Sequence, residues 1–149
     1  MKEILFKAKE VDSGEWVEGY LVRIDEETCF IATKDDILAA YTDNRGTYDG
    51  YMSVIDTETI CQYTGLIDKN GNKIWENDVV CTPYIDPIFK DIVNDEILND
   101  FRWKVVFYEG LFCVENESDR IYLRDFSINN YIEVIGNIFD NPELLKAGV

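Results

Sequence analysis

Short stretches of alternating apolar and polar residues fill the first third of the chain and predict antiparallel β-strands. The predicted strands are residues 4–9, 16–24 and 28–32. Turn-forming residues separate them, with Asp12-Ser13-Gly14 after the first strand and three acidic residues at 25–27 after the second. Gly19 lies inside the second strand, where a glycine is typical of a β-bulge.

The strongest single turn signal lies in the middle of the chain, at Asn70-Gly71. These residues stand between segments 66–68 and 73–75, and both tolerate positive φ at low cost, so they predict a β-hairpin. The neighbouring Asp68 invites a calcium-loop interpretation. That loop requires a glycine at its sixth position and a glutamate at its twelfth, and this stretch has neither. The hairpin is therefore the preferred interpretation.

Two segments carry helix signals. Asp35 is placed to cap a short helix that ends at Tyr41. Asp86 and Pro87 are typical of a helix start, and apolar residues then recur every three to five positions. This spacing predicts an amphipathic helix over residues 86–100 that packs on a sheet and turns an acidic face to solvent.

The remaining sequence returns to strand patterns. Further strands are predicted at residues 79–81, 102–108, 111–115, 121–123 and 131–138, and residues 141–145 predict a short capped helical turn. No internal repeat or linker rich in proline, glycine and serine divides the sequence. A single domain over residues 1–149 is therefore expected.

The composition is that of an acidic chain with enough apolar residues for a core. The 149 residues include 30 acidic and 14 basic side chains, for a formal net charge of -16, and 46% of them are hydrophobic. That charge opposes direct binding to nucleic acids and to anionic membranes, so neither is expected as a partner. The sequence has no histidine, which excludes histidine-based acid–base catalysis and metal sites that contain histidine.

The four cysteines, at positions 29, 61, 81 and 113, do not form a Cys-x-x-Cys motif, so neither a zinc ribbon nor a redox pair is indicated. Their apolar neighbours predict free thiols buried as small hydrophobic side chains in a reducing compartment. The amino terminus lacks the apolar core of a signal peptide, and no uncharged stretch approaches the roughly 20 residues that span a bilayer. A cytoplasmic location is expected.

Three segments of the sequence together resemble the YopX family of bacteriophage and prophage proteins. They are residues 6–20, which contain FKAK and GEWVEGY, residues 56–80, and residues 134–145. They occur in the family's order and span nearly the whole chain. One departure is Asn77, which stands where the family usually has glycine. Because asparagine tolerates the left-handed conformation, the turn is expected to survive the change.

The resemblance implies a mainly β, barrel-like antiparallel sheet with one inserted amphipathic helix and short capping helices. It implies no catalytic, metal-binding or cofactor-binding residues. The recurring residues instead have structural explanations: backbone shape for Gly65, Gly71 and Gly136, core packing for Tyr63 and Trp75, and a turn hydrogen bond for Asp78.

The preferred functional hypothesis is a non-catalytic interaction module or homo-oligomeric accessory protein, whose partner is an unidentified host or phage protein. The sequence has no nucleophile–base pair, phosphate-binding loop or metal-ligand spacing, but it has twenty aromatic residues: three Trp, nine Tyr and eight Phe. Aromatic residues are enriched where proteins meet. On this hypothesis the protein is not an enzyme, and no catalytic residue, metal or cofactor is assigned.

Two alternatives use the acidic residues. The first is a nucleic-acid mimic that inhibits a host DNA-binding protein through its carboxylates. The second is a metal-dependent hydrolase that uses carboxylates alone. The candidate ligands for that hydrolase are Asp35, Asp36, Asp43 and the pair Asp91 and Asp95.

Overall fold

The computed structural model describes residues 3–42, 52–82, 101–125 and 131–146. Within these ranges the protein is mainly β, with antiparallel strands in two sheets and a single α-helix. The chain forms two compact units, Met1–Tyr63 and Thr64–Val149. The single-domain organisation expected from the sequence stays a prediction, and the helix predicted over residues 86–100 lies outside the described residues.

The first unit is an antiparallel sheet. Its strands are β1 (Phe6–Lys9), β2 (Trp16–Arg23), β3 (Cys29–Ala32), β4 (Ser53–Val54) and the start of β5 (Cys61–Ile67). Their order in the sheet is β4-β3-β2-β1-β5. The core of this unit consists of Ala8, Cys29, Ile31 and Ile55, with Phe6, Val17, Leu21 and Ile60 packed against them. The strands predicted at 4–9, 16–24 and 28–32 are thus confirmed, with slightly shorter bounds.

The β-bulge predicted at Gly19 is wrong. The β1–β2 pairing runs without a register shift from Phe6 opposite Gly19 to Lys9 opposite Trp16. A Cβ atom at Gly19 would instead lie 2.4 Å from the carbonyl oxygen of Ala32 on β3. Glycine is therefore required at this position by a close approach of two backbones rather than by an irregular strand.

Helix α1 (Lys34–Thr42) follows β3 and matches the helix expected to end at Tyr41. Its start differs from the prediction. The Thr33 hydroxyl accepts the backbone N–H of Asp36 at 3.1 Å, and the Asp36 carboxylate accepts the backbone N–H of Thr33 at 2.8 Å. This reciprocal pair satisfies two backbone donors, whereas a cap at Asp35 would satisfy one, so the assignment of Asp35 as the cap is wrong.

The second unit contains the rest of β5 and strands β6 (Lys73–Trp75), β7 (Asp78–Thr82), β8 (Phe101–Tyr108), β9 (Leu111–Glu115), β10 (Arg120–Tyr122) and β11 (Glu133–Asn137). Five of them form a sheet in the order β10-β9-β8-β7-β11. Its core consists of Ile74, Val80, Trp103, Val105, Val114, Leu123 and Ile132. Within the described residues, the strand pairings do not close either sheet into a ring.

The hairpin predicted around Asn70-Gly71 joins β5 to β6 and is confirmed. Gly71 has a φ of +84°, but Asn70 is not among the residues with positive φ. The N–H of Gly71 donates to the carbonyl of Asp68, and the N–H of Asp68 donates to the carbonyl of Asn72. The turn therefore needs one left-handed residue, where the sequence argument allowed two.

The next turn confirms the expectations for Asn77 and Asp78. Asn77 has a φ of +67°, so asparagine does adopt the left-handed conformation here. The Asp78 carboxylate accepts the backbone N–H of Trp75 at 2.8 Å, and Trp75 is buried. This hydrogen bond closes the short turn between β6 and β7.

Three short 3₁₀ helices complete the described structure: Thr57–Thr59, Leu123–Asp125 and Pro142–Leu145. The last matches the helical turn predicted at residues 141–145, but the Asn141 side chain makes no capping hydrogen bond. A Cβ atom at Gly136 would lie 2.5 Å from Oδ1 of Asn141, so this glycine makes room for the Asn141 side chain. Among the described residues, no helix has the length and hydrophobicity needed to cross a membrane.

Candidate functional site

Among the described residues of the second unit, the most exposed aromatic side chains lie where β8 turns into β9. Glu109 and Gly110 form the turn, and both have positive φ, at +48° and +82°. Phe107 pairs with Phe112, and Tyr108 pairs with Leu111 across the two strands. Two left-handed residues match the twist of a tight two-residue β-turn. Residues Phe107–Phe112 are called the hairpin end below.

The hairpin end extends beyond the strands on either side. Strand β7 pairs with β8 only as far as Lys104, and β10 pairs with β9 only as far as Cys113. Among the strands of the described residues, the hairpin end therefore pairs only with itself. The lengths of the neighbouring strands expose it on the flanks as well as at the tip.

Side chains alternate between the two faces along each strand, so the apolar residues of the hairpin end lie on both of its faces. Phe107 and Phe112 share one face, with ring centroids 5.0 Å apart in an edge-to-face arrangement. Tyr108 and Leu111 share the other. Phe107 is 51% exposed and Tyr108 is 40% exposed. Burying a whole phenylalanine is worth about 1.5–3 kcal/mol, so burying the exposed half of the Phe107 ring is worth about 1 kcal/mol.

Arg120 lies on β10, on the other side of β9 from β8, and its side chain contacts the Tyr108 ring. Its guanidinium lies 3.8 Å from the centre of the Tyr108 ring. The Nε and Nη2 atoms of Arg120 also donate to one oxygen of Glu115, at 2.9 and 2.8 Å. The hydrogen bonds to Glu115 raise the pKa of Arg120 above its usual value. The positive charge nearest to Tyr108 is thus already matched by a carboxylate, while Glu109 adds a negative charge to the turn.

The structure gives no support to the carboxylates proposed as metal ligands. Asp36 is engaged with the backbone and hydroxyl of Thr33, which makes it a helix cap. Asp35 lies beside it in the first turn of α1. Asp43, Asp91 and Asp95 lie outside the described residues. Among the residues that the structure does describe, no three His, Cys, Asp or Glu side chains are grouped so that they could hold a metal ion.

Asp68, which the sequence analysis considered only for a calcium loop, is a buried carboxylate with 3% of its surface exposed. Its oxygens accept the N–H groups of Asn70, Asn72 and Val134 at 2.9, 2.8 and 3.0 Å. Burial opposes the charged form, but the N–H groups of Val134, Asn72 and Asn70 outweigh it and hold the pKa of Asp68 below its usual value. The pattern Asp-x-Asn signals the local bonds, but nothing in the sequence signals the bond to Val134.

A cleft of about 410 Å³ lies in the first unit. It is lined by Lys9, Glu10, Val11, Gly14, Glu27, Ile55, Asp56 and Thr57. Its carboxylates serve the local turns: Glu10 accepts the Ser13 hydroxyl at 2.6 Å, and Asp56 accepts the N–H of Glu58 at 3.0 Å.

The four cysteines are free thiols, as expected. Cys29, Cys61 and Cys113 are buried, and Cys81 is partly exposed. Burial raises the pKa of the Cys113 thiol. A thiol that stays protonated at neutral pH is a poor nucleophile, so Cys113 serves as a core residue.

Comparisons with known proteins agree with the fold. A family model described as "YopX protein" matches residues 5–146. The crystal structure of protein EF1440 from Enterococcus faecalis is similar, with a TM-score of 0.55 and 21% sequence identity over 97% of this chain and 99% of that chain. At this identity the likeness shows a shared fold. A search of curated proteins finds no match.

Proposed function

This chain belongs to the YopX family, whose model covers residues 5–146, and from that premise we propose that it acts as a non-catalytic protein-interaction module. The observation that carries the proposal is the hairpin end, which presents aromatic side chains on two faces and pairs with no neighbouring strand among the described residues. Exposed Phe and Tyr residues on a rigid support are typical of protein-binding surfaces.

The polar groups of the described residues support the same proposal. The buried carboxylates of Asp68 and Asp78 accept backbone N–H groups in turns, and Asp36 caps a helix. Each of these groups therefore has a structural task. Asp36 does accept the hydroxyl of Thr33, but the two residues form the capping box at the start of α1.

The setting that we propose is the cytoplasm of a bacterium that carries the phage or prophage, as the family resemblance implies. The partner is a host or phage protein, or a second copy of this chain. The barrel-like arrangement and the amphipathic helix at residues 86–100 belong to the same proposal, since they follow from the resemblance and from the sequence pattern.

The test compares proteins captured from host lysate by three forms of the tagged chain. They are the unaltered chain, Phe107→Ser, and the control Ile24→Ser, which removes a side chain that is 65% exposed in the first unit. We expect one set of proteins to be retained by the unaltered chain and by Ile24→Ser and to be lost with Phe107→Ser. Equal capture by all three forms, or capture by none, would contradict the proposal.

A further inference from the structure

We infer that the hairpin end inserts into an apolar pocket with a basic rim on a partner protein. The inference rests on the proposed function and specifies the chemistry of the partner. It follows from three properties of the hairpin end: its small exposed area, its rigidity and the charge that surrounds it.

The exposed area is too small for a flat interface. Phe107 and Tyr108 together expose roughly 200 Å², from their exposed fractions of 51% and 40%. A protein–protein interface of standard size buries about 800 Å² on each partner. A partner that surrounds the hairpin end covers the exposed parts of Phe107 and Tyr108 on its two faces at once, whereas Phe112 is already packed against the core. A concave partner is therefore favoured over a flat one.

The hairpin end is already ordered before binding. The Glu109-Gly110 turn fixes the two strands, the Phe107 ring contacts Phe112, and the Tyr108 ring lies against Arg120 at 3.8 Å. A side chain that is held in place loses less conformational entropy when it is buried. A small number of residues is therefore enough to supply a useful affinity. This is typical of a hot spot that fills a pocket.

The negative charge of the chain favours a partner with basic residues around the pocket. It also argues against a second copy of this chain as that partner. The net charge is -16, and two such chains repel each other. At the hairpin end itself, Glu109 is acidic, while the charge of Arg120 is matched by Glu115. Basic residues around the pocket would complement Glu109 and steer the encounter.

The experiment replaces Phe107 with the photo-crosslinking residue p-benzoylphenylalanine in the full chain, expressed in the host cell. Ile24 is replaced in the same way as a control. We expect irradiation to crosslink position 107 to a partner, and position 24 not to do so. Mass spectrometry of the crosslinked peptide locates the contact. The inference requires that the crosslinked position on the partner lie in a concave apolar site with lysine or arginine at its rim.

A matched pair of charge reversals tests the rim. Glu109→Lys and Glu117→Lys change the net charge equally, but Glu117 lies in the β9–β10 turn, at the other end of β9. We expect Glu109→Lys to lower the crosslinking yield at position 107 by about tenfold, because it places a cation against a basic rim, and Glu117→Lys to lower it much less. Equal effects of the two charge reversals on the crosslinking yield would overturn the inference that the pocket has a basic rim.

The remaining outcomes separate this inference from the proposed function. A crosslink from position 107 to a second copy of the chain, or to a flat or acidic surface, would overturn the inference and leave an interaction module. Capture of proteins that persists without any crosslink from position 107 would do the same. If the chain neither captures a protein nor crosslinks to one, both the inference and the proposed function are overturned.

Discussion

Replacing Asp68 with alanine tests whether one buried carboxylate holds the β5–β6 turn against strand β11. In the structure its two oxygens accept three backbone N–H groups, those of Asn70, Asn72 and Val134, and the Asn72 side-chain amide at 3.3 Å. The substitution removes every one of these acceptors at once. It leaves the left-handed Gly71 and both strands unchanged in sequence.

The expected loss of stability at neutral pH is about 3 kcal/mol. A backbone donor that loses a charged acceptor costs about 1–3 kcal/mol when it stays buried. Asn70 and Asn72 are exposed residues whose N–H groups can bind water instead, so Val134 contributes the largest share. For a chain of this size, 1 kcal/mol lowers the melting temperature by about 2–4 °C, so we expect a decrease of about 6–12 °C.

The loss should depend on pH in a defined direction. Because the folded-state pKa of Asp68 lies below its unfolded value of about 3.9, its contribution to stability is complete above pH 5. The contribution disappears as the pH falls through the folded-state pKa. The difference in unfolding free energy between the unaltered protein and Asp68→Ala should therefore shrink when urea denaturation is repeated near pH 3.

Asp25→Ala is the matched control, because Asp25 also accepts two backbone N–H groups, at 2.9 and 2.7 Å, but lies in an exposed turn. Water replaces the lost acceptor there, so we expect a much smaller loss of stability. The reasoning would be refuted if Asp68→Ala and Asp25→Ala destabilised the protein equally at pH 7, or if the Asp68→Ala loss were the same at both pH values.

Three further predictions follow from the described residues. Gly19→Ala should cost about 1–3 kcal/mol in urea denaturation, because its Cβ would lie 2.4 Å from the Ala32 carbonyl, while Glu18→Ala on the same strand should cost much less. Asn77→Gly should be tolerated, because glycine adopts positive φ readily, and Asn77→Val should cost at least about 1 kcal/mol, because a β-branched residue is disfavoured at the φ of +67°; equal costs would contradict the assigned turn. Millimolar Mg²⁺ or Mn²⁺ should leave the melting temperature unchanged, whereas a micromolar site would add about 4 kcal/mol at a thousandfold excess, and such a shift would revive the hydrolase hypothesis.

Local signals in the sequence predicted the strands and the two turns of the central segment. Alternating residues place the strands, and the conformational preferences of Gly71 and Asn77 act within a few residues of the chain. Asp78 was predicted correctly for the same reason, since its partner is Trp75, three residues away. Interactions of this range are visible in a sequence before any tertiary structure is known.

The predictions that failed concern contacts between distant residues or a choice between neighbouring caps. Gly19 is required by the backbone of Ala32, which belongs to another strand. The hydrogen bond from the N–H of Val134 to Asp68, 66 residues apart, was not predicted at all. The helix cap moved from Asp35 to Thr33 because a reciprocal pair of bonds competes better than a single one.

The proposed binding surface, the hairpin end, could also be predicted from the sequence only in part. The strands predicted at residues 102–108 and 111–115 leave Glu109-Gly110 as the turn between them, and the structure has its turn there. The exposure of Phe107 was not predictable, because it depends on where β7 and β10 stop pairing with the hairpin. An aromatic residue in a strand pattern is indistinguishable, in sequence, from one that completes a core.

The residues that carry the family resemblance are not those of the hairpin end, and this separation predicts that binding and folding can be altered independently. The resembling segments end at Val80 and resume at Val134, whereas the hairpin end comprises residues 107–112. The variant Phe107→Ser removes a ring that is 51% exposed and lies edge-to-face with Phe112. The ring pair is worth about 1 kcal/mol and the buried half of the ring about another 1 kcal/mol, so a melting temperature within roughly 8 °C of the unaltered protein is expected.

The same variant should lose the partner crosslinked at the hairpin end, as judged by co-purification with the tagged chain. Trp103→Ala is the opposite control, because Trp103 is 4% exposed in the core of the second unit, and truncating a buried tryptophan costs about 3–5 kcal/mol. If Phe107→Ser unfolded as readily as Trp103→Ala, the hairpin end would be part of the fold rather than a surface carried by it. Its aromatic rings would then need no partner to explain them.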